Sequence, residues 1–263
     1  MKPKLAPVSK IKPKARETIL RIKNLRKVFR TNDSFLTVLD DVHFDARSGE
    51  MICIFGRSGC GKSTLLKILA GFLPLSSGTV LLNGKPVTTP GPDRCVVFQE
   101  DTLFPWLTVK ENIAFGLRGR IRDKKAIWEK VEHFLSLVGL SEFRDYLPRE
   151  ISGGMKQRVA LARVLILKPK VLLMDEPFAS LDAQTREEMQ NLLLSLWEKL
   201  SHTILFVTHD VNEAITLADR ILLMDKSPGR IRDEIRVDLP RPRRKEKTDF
   251  LFFSSKLYER IRE

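Results

Sequence analysis

The sequence predicts an α/β fold: a parallel β-sheet covered on both faces by helices, with a β-rich N-terminal part and a helical insertion. Three observations carry this. Four short apolar runs, MICIF (51–55), VLLMD (171–175), TILFVT (203–208) and ILLM (221–224), alternate with segments of helical spacing. Runs that are apolar at successive positions, rather than at every second one, mark strands buried on both faces, which is the habit of parallel sheets. The stretch from about 100 to 158 breaks the alternation with helices and loops alone.

The elements follow in order. Residues 18–55 are β-rich, with runs such as Thr18 to Ile22 and Thr37 to Leu39. MICIF ends in a glycine-rich turn, and STLLKILAGF (63–72) continues with helical spacing, so the order there is strand, loop, helix. TVLLNGK (79–85) reads as a strand entering an Asn-Gly hairpin turn. Ile127, Val131, Phe134, Leu135 and Val138 fall at three- and four-residue steps within the helical region 109–140, and Thr185 to Leu200 reads as another helix. At the C-terminus, Phe250, Phe253, Leu257 and Ile261 line one side of a short amphipathic helix, expected to pack on the core or a dimer. The expected domains are a flexible basic arm (1–17), a catalytic domain (18–240) holding the helical insertion, and a basic segment with a terminal helix (241–263).

Composition narrows the class. The chain has 263 residues, 43% hydrophobic and 30% charged, which is globular and excludes a disordered or collagen-like chain. Cys53, Cys60 and Cys95 cannot form a disulfide framework and lack zinc-pair spacing, so a reducing compartment is expected. No run of about 18 apolar residues occurs, and the basic N-terminus has no apolar stretch behind it, so neither a span nor a secretory signal is expected. The net charge of +13 is uneven. Residues 1–16 contribute +6 and residues 241–247 (RPRRKEK) +4, leaving a nearly balanced +3 on residues 17–240. Such arms suit anionic lipid, a nucleic-acid backbone or plain solvent.

The chemistry is carried by two motifs. GRSGCGKST (56–64) matches GxxxxGK[ST]. Gly56, Gly59 and Gly61 let the backbone curl so that successive N–H groups point at phosphate oxygens. Lys62 brings positive charge to the terminal phosphates, Ser63 offers its hydroxyl to Mg²⁺, and the following helix presents its positive end. Arg57, Ser58, Cys60 and Thr64 complete the loop. VLLMDE (171–176) supplies carboxylates at a strand end: Asp175 to hold Mg²⁺ through water, Glu176 to act on the attacking water as general base. Cys60, beside a helix N-terminus, is expected to have a lowered thiol pKa and to react with alkylating agents. His43, His133 and His202 have no partner at metal-ligand spacing and are read as solvated or structural.

ISGGMKQR (151–158), lying between these motifs, is similar to the signature of ABC-type ATPases. On these residues the chain resembles an ABC transporter ATP-binding subunit over about residues 18–240. The resemblance implies a P-loop NTPase (RecA-like) core with an N-terminal antiparallel β region and an inserted helical subdomain. It carries over residue by residue. Gln99 in VVFQED (96–101) matches the glutamine that meets the metal and γ-phosphate. Asp182 in ASLD (179–182) matches a dimer contact, His209 in VTHD (207–210) the residue that orients γ-phosphate and water, and Phe29 the aromatic against adenine. Ser152, Gly153 and Gly154 match the phosphate-binding part of the signature, while Met155 stands where the family has a glutamine.

The resemblance further implies ATP and Mg²⁺, a head-to-tail dimer or paired cassette with ATP between phosphate loop and signature, and a separate transmembrane permease. A solute-binding protein outside the membrane would be an indirect partner, and the chain would sit peripherally on the cytoplasmic face of the inner membrane. Leu103, Phe104, Pro105, Trp106 and Leu107 form an apolar patch expected to dock the permease. FQEDTLFPWLTV (98–109) with DLPRPRR (238–244) resembles the branch importing nitrate, aliphatic sulfonates, taurine or bicarbonate. Importers of pyrimidine-type vitamin precursors have similar cassettes. An ABC ATPase acting on nucleic acid is a rival that the basic arms favour slightly, but the single cassette, without a coiled-coil insertion, disfavours it. An exporter subunit is a further rival.

Overall fold

The computed structural model describes residues 17–32, 34–98 and 103–262; the N-terminal arm and Gln99 lie outside them. In chain order the elements are β1 (Thr18–Arg30), β2 (Phe35–Arg47), β3 (Met51–Phe55), α1 (Lys62–Ala70), β4 (Ser77–Leu82), β5 (Lys85–Pro86) and β6 (Arg94–Val97). There follow α2 (Val109–Ala114), α3 (Lys124–Leu137), α4 (Gly153–Leu165), β7 (Val171–Asp175), α5 (Ala183–Leu200), β8 (Thr203–Thr208), α6 (Val211–Leu217), β9 (Arg220–Met224), β10 (Ile231–Arg236) and α7 (Thr248–Arg262).

Two sheets form. The larger has strand order β10-β9-β3-β8-β7-β6. Its strands are parallel except β10, which runs antiparallel at one edge. The smaller has order β2-β1-β4-β5 and is antiparallel. The reason for the uninterrupted apolar runs is now visible. Along β3, Ile52 and Ile54 pack with Leu65, Leu66 and Leu69 of α1 and with the inner face of the small sheet. Met51, Cys53 and Phe55 pack on the opposite side, in the cluster that holds α4, α5 and α6. Successive side chains point to opposite faces, and both faces are covered.

β6 and β10 escape the sequence pattern for a physical reason. Both are edge strands, and β10 (IRDEIR) is half-exposed, so neither reads as apolar. α6 also goes unread: its seven residues are too few to show a helical period. The runs at Thr18 and Thr37 are parts of 13-residue strands. Their register shifts break the alternation that sequence reading relies on.

Between β6 and β7, α2 and α3 pack on α4. The buried Asn112 of α2 holds the segment before it: its side-chain amide donates to the carbonyls of Phe104 (3.1 Å), Leu107 (2.9 Å) and Thr108 (3.1 Å), and its oxygen accepts from Phe104 N–H (2.8 Å). That pins a loop whose tip presents Trp106, 72% exposed, beside Phe104, which in turn packs on Phe115. α7 buries Phe250 and Leu257, with Phe253 and Ile261 packed against the same core. Among the described residues no helix is long and apolar enough to cross a membrane.

Candidate nucleotide site

The loop between β3 and α1 is shaped by backbone conformations that favour glycine. Gly59 and Gly61 have φ of 81° and 99°, and Gly61 caps α1. Gly56 has no room for a side chain: a Cβ there would stand 2.7 Å from Cys60 Sγ and 2.9 Å from the Met224 carbonyl. Lys62 is folded back under the loop, 5% exposed, donating to the carbonyls of Gly56 (2.7 Å) and Arg57 (3.2 Å). The side chains of Arg57, Ser58 and Ser63 are exposed, while Cys60 is buried and Thr64 half-buried.

The carboxylates of β7 meet this loop. Ser63 Oγ donates to Asp175 Oδ1 at 3.1 Å, Lys62 Nζ lies 3.6 Å from Glu176 Oε1, and His209 Nδ1 lies 3.0 Å from Glu176 Oε2. Five residues from three parts of the chain thus form one connected rim at the C-terminal ends of β3, β7 and β8, where open α/β sheets place their ligands. Burial raises the Asp175 carboxyl above its usual range, and the Ser63 hydroxyl opposes that shift. A carboxylate in that setting gains from a cation, and a carboxylate beside a hydroxyl is a hard-oxygen donor set that suits Mg²⁺. Glu176 adopts φ 43°, a left-handed conformation costing about 1–2 kcal/mol for a residue with a Cβ. The bend, held by Glu176 N–H donating to the Val207 carbonyl at 3.2 Å, turns the carboxylate toward Lys62 and His209.

Among the described residues, none of the remaining expected site residues forms a hydrogen bond or ion pair with this rim. Ser152 caps α4 by accepting from Met155 N–H (3.3 Å), and Ser152 and Gly153 are exposed. Gly154 lies against α5, where a Cβ would stand 2.6 Å from Thr185 Cγ2. Asp182 caps α5, accepting from Thr185 N–H (3.0 Å) and its hydroxyl (2.6 Å), which holds its carboxyl below the usual range. Phe29 is half-buried near the β1–β2 turn, with Lys27 Nζ 4.8 Å from its ring centre. Across that turn Phe35 is 75% exposed, an aromatic that sequence reading did not single out.

The structure corrects the expectation for Cys60. Its thiol points inward, 1% exposed, and burial raises its pKa against the lowering pull of Lys62. Proximity to a helix N-terminus does not help a sulfur folded beneath Gly56. Alkylation by N-ethylmaleimide at pH 8 should therefore run at least about 100-fold slower than for a free thiol, with or without nucleotide, as intact-mass spectrometry would show.

Gly229 is a further residue that sequence reading missed. Its N–H donates to the Val38 carbonyl (2.9 Å) and its own carbonyl accepts from Asp40 N–H (3.0 Å). A Cβ there would stand 2.2 Å from the Cys60 carbonyl and 2.4 Å from Met224 Cε. The backbone of residue 229 therefore braces the phosphate loop from below. Gly229→Ala is expected to weaken ATP binding by roughly tenfold or more, with the secondary structure retained; nucleotide titration alongside circular dichroism checks both. A lone glycine in SPGR carried no signal for this role.

The ABC transporter family model matches residues 39–179. The chain belongs to the ABC transporter family. An uncharacterised ABC transporter ATP-binding protein of Methanocaldococcus jannaschii is 46% identical over 90% of this chain and 89% of its own. The nitrate import ATP-binding protein of Synechocystis is 45% identical, covering 84% of this chain and 83% of its own. The taurine import ATP-binding protein of Roseobacter denitrificans is 47% identical, covering 84% and 82%. Among solved structures, a dimeric ATP-binding cassette in a post-hydrolysis state with ADP and phosphate superposes with a TM-score of 0.73 at 29% identity, over 84% of this chain and all of that one. A cassette from a Clostridium perfringens ABC transporter complex superposes at 0.77 with 28% identity, over 93% and 94%. As an ABC cassette the chain is an ATPase built on a P-loop core, the activity that powers transport in this family.

Proposed function

We propose that this ABC cassette energises import of a small anion such as nitrate, a sulfonate, taurine or bicarbonate. The observation that carries the ATPase half of this reading is the rim of Lys62, Ser63, Asp175, Glu176 and His209. The anion rests on likeness to nitrate and taurine import subunits.

The Lys62 ammonium is satisfied by two loop carbonyls and the Glu176 carboxylate. The ATP phosphates would take over those contacts, releasing Glu176 from Lys62 while His209 still holds its other oxygen. Glu176 is then placed to accept a proton from water, and His209 to orient that water and the γ-phosphate. Ser63 and Asp175, with Gln99 beyond the described residues, would hold Mg²⁺, which supplies charge neutralisation on the phosphates. The left-handed turns at Gly59 and Gly61 shape the loop whose amides would meet the phosphates.

Ser152 to Gly154 point to a second chain. They are small, open a helix N-terminus and form no hydrogen bond with the rim among the described residues. A head-to-tail pair of cassettes would bring them to the partner's phosphates, with Asp182 at the contact and Phe29 against adenine. The exposed Trp106, with Phe104 and Phe115, would receive a permease segment on the pinned loop before α2. A solute-binding protein would act through that permease, and the cassette would lie on the cytoplasmic face of the membrane.

The test is purification of the tagged chain from gently solubilised membranes, followed by ATPase assay of the complex with its solute-binding protein and candidate solutes. Stimulation by one of the named anions supports the reading. Stimulation by a pyrimidine-type vitamin precursor instead, or recovery of nucleic acid without a permease, overturns it.

A further inference from the structure

A cleft of about 770 Å³ opens at the other end of the large sheet, where β7 and β8 begin rather than end. At about 3.3 Å per residue these strands put it roughly 15 Å from the nucleotide rim. One wall is α3, through Ala126, Lys130 and His133. The other is the loop after α4, with Lys168 and Lys170, and the end of α5, with Lys199 and His202. The helical insertion and the sheet core thus face each other across it.

Its charge is one-sided. Four lysines line it against the single carboxylate of Glu129, and among the described residues none of the four ammonium groups is in an ion pair. The ends of α4 and α5 would bring negative dipole ends here, yet several of the local carbonyls are already engaged. Leu165 O accepts from Lys168 N–H (2.9 Å), Trp197 O from Ser201 N–H (2.8 Å) and Pro169 O from His202 Nδ1 (2.9 Å). That last bond fixes a proton on Nδ1, because a carbonyl only accepts; in the neutral ring Nε2 is then an acceptor, and it donates to an anion only once the ring is protonated. The half-buried His202 ring is biased toward its neutral form by burial, an effect that Lys168 reinforces.

Unpaired lysines around a cavity of small-molecule size make a site for multiply charged anions. We propose that this cleft binds a small anion carrying two or more phosphate groups, bridging the helical insertion and the sheet core. Lys130 on α3 holds it from one wall, and Lys168, Lys170, Lys199 and the protonated ring of His202 from the other. A ligand held on both sides opposes any relative motion of the two parts, which makes the cleft a control point separate from the nucleotide rim.

The chain has only four histidines, so their ring resonances report each region separately. The experiment is a titration of the full chain with inorganic pyrophosphate, followed by NMR of the histidine rings. His133 and His202 should shift in a saturable way while the exposed His43 stays still, and bound anion should move the His202 titration to higher pH. His209 reports independently on pyrophosphate at the phosphate loop. In the double variant Lys130→Glu, Lys199→Glu, the His133 and His202 response should weaken roughly tenfold or more, with the His209 response kept as proof of folding. Absence of any saturable shift at His133 and His202 in the parent chain overturns the proposal. So does an equal response to sodium chloride at the same ionic strength, or an unchanged affinity in the variant.

Discussion

Glu176→Gln is expected to lower ATP turnover by about 10²–10⁴-fold, the range for loss of a general base, while ATP binding stays within a few-fold of the parent. Glutamine keeps the shape of the side chain and an oxygen to face Lys62, 3.6 Å from the carboxylate in the parent. It also keeps a group to meet His209, 3.0 Å away. It cannot take a proton from water. The loss therefore falls on kcat and leaves the phosphate contacts of the loop in place. Steady-state hydrolysis and equilibrium nucleotide binding, measured on the same preparation, separate the two effects. Parental turnover by this variant would remove Glu176 from the role.

Lys62→Ala is expected to act on binding first, weakening ATP by about 10–100-fold, as the loss of a charged hydrogen bond implies. Lys62 is 5% exposed and holds the Gly56 and Arg57 carbonyls, at 2.7 and 3.2 Å, in addition to facing Glu176. Its removal withdraws positive charge from the phosphates and leaves two carbonyls and a carboxylate without their cation. Hydrolysis should fall along with affinity. Calorimetric titration distinguishes this from the Glu176→Gln pattern, in which affinity survives.

The two variants differ because of details that sequence reading reaches unequally. MICIF, VLLMD and TILFVT are legible as buried parallel strands because burial on both faces confines polar residues to the strand ends, at Asp175, Thr203 and Thr208. The phosphate loop is legible because its glycines answer a backbone requirement that other residues meet poorly. Joining Ser63 to Asp175 and Glu176 to His209 requires motif order, since those residues stand 33 or more positions apart. What stays hidden depends on contacts that leave little local trace. Gly229 braces the phosphate loop from a turn near the other end of the chain, beneath the Cys60 carbonyl. Asn112 ties down a loop through four hydrogen bonds, and the Cys60 sulfur faces inward. β10 hides for the opposite reason: an edge strand exposes enough charge to lose its apolar signature.

The mechanism we propose requires that ATP join two copies of the cassette, the phosphate loop of one facing Ser152 to Gly154 of the other. Sedimentation of the Glu176→Gln chain with and without ATP tests this most directly. Monomers are expected without nucleotide and dimers with ATP, with a return to monomers when Ser152 is also replaced by a bulky acidic residue. A chain that binds ATP yet sediments as a monomer at every concentration would contradict it.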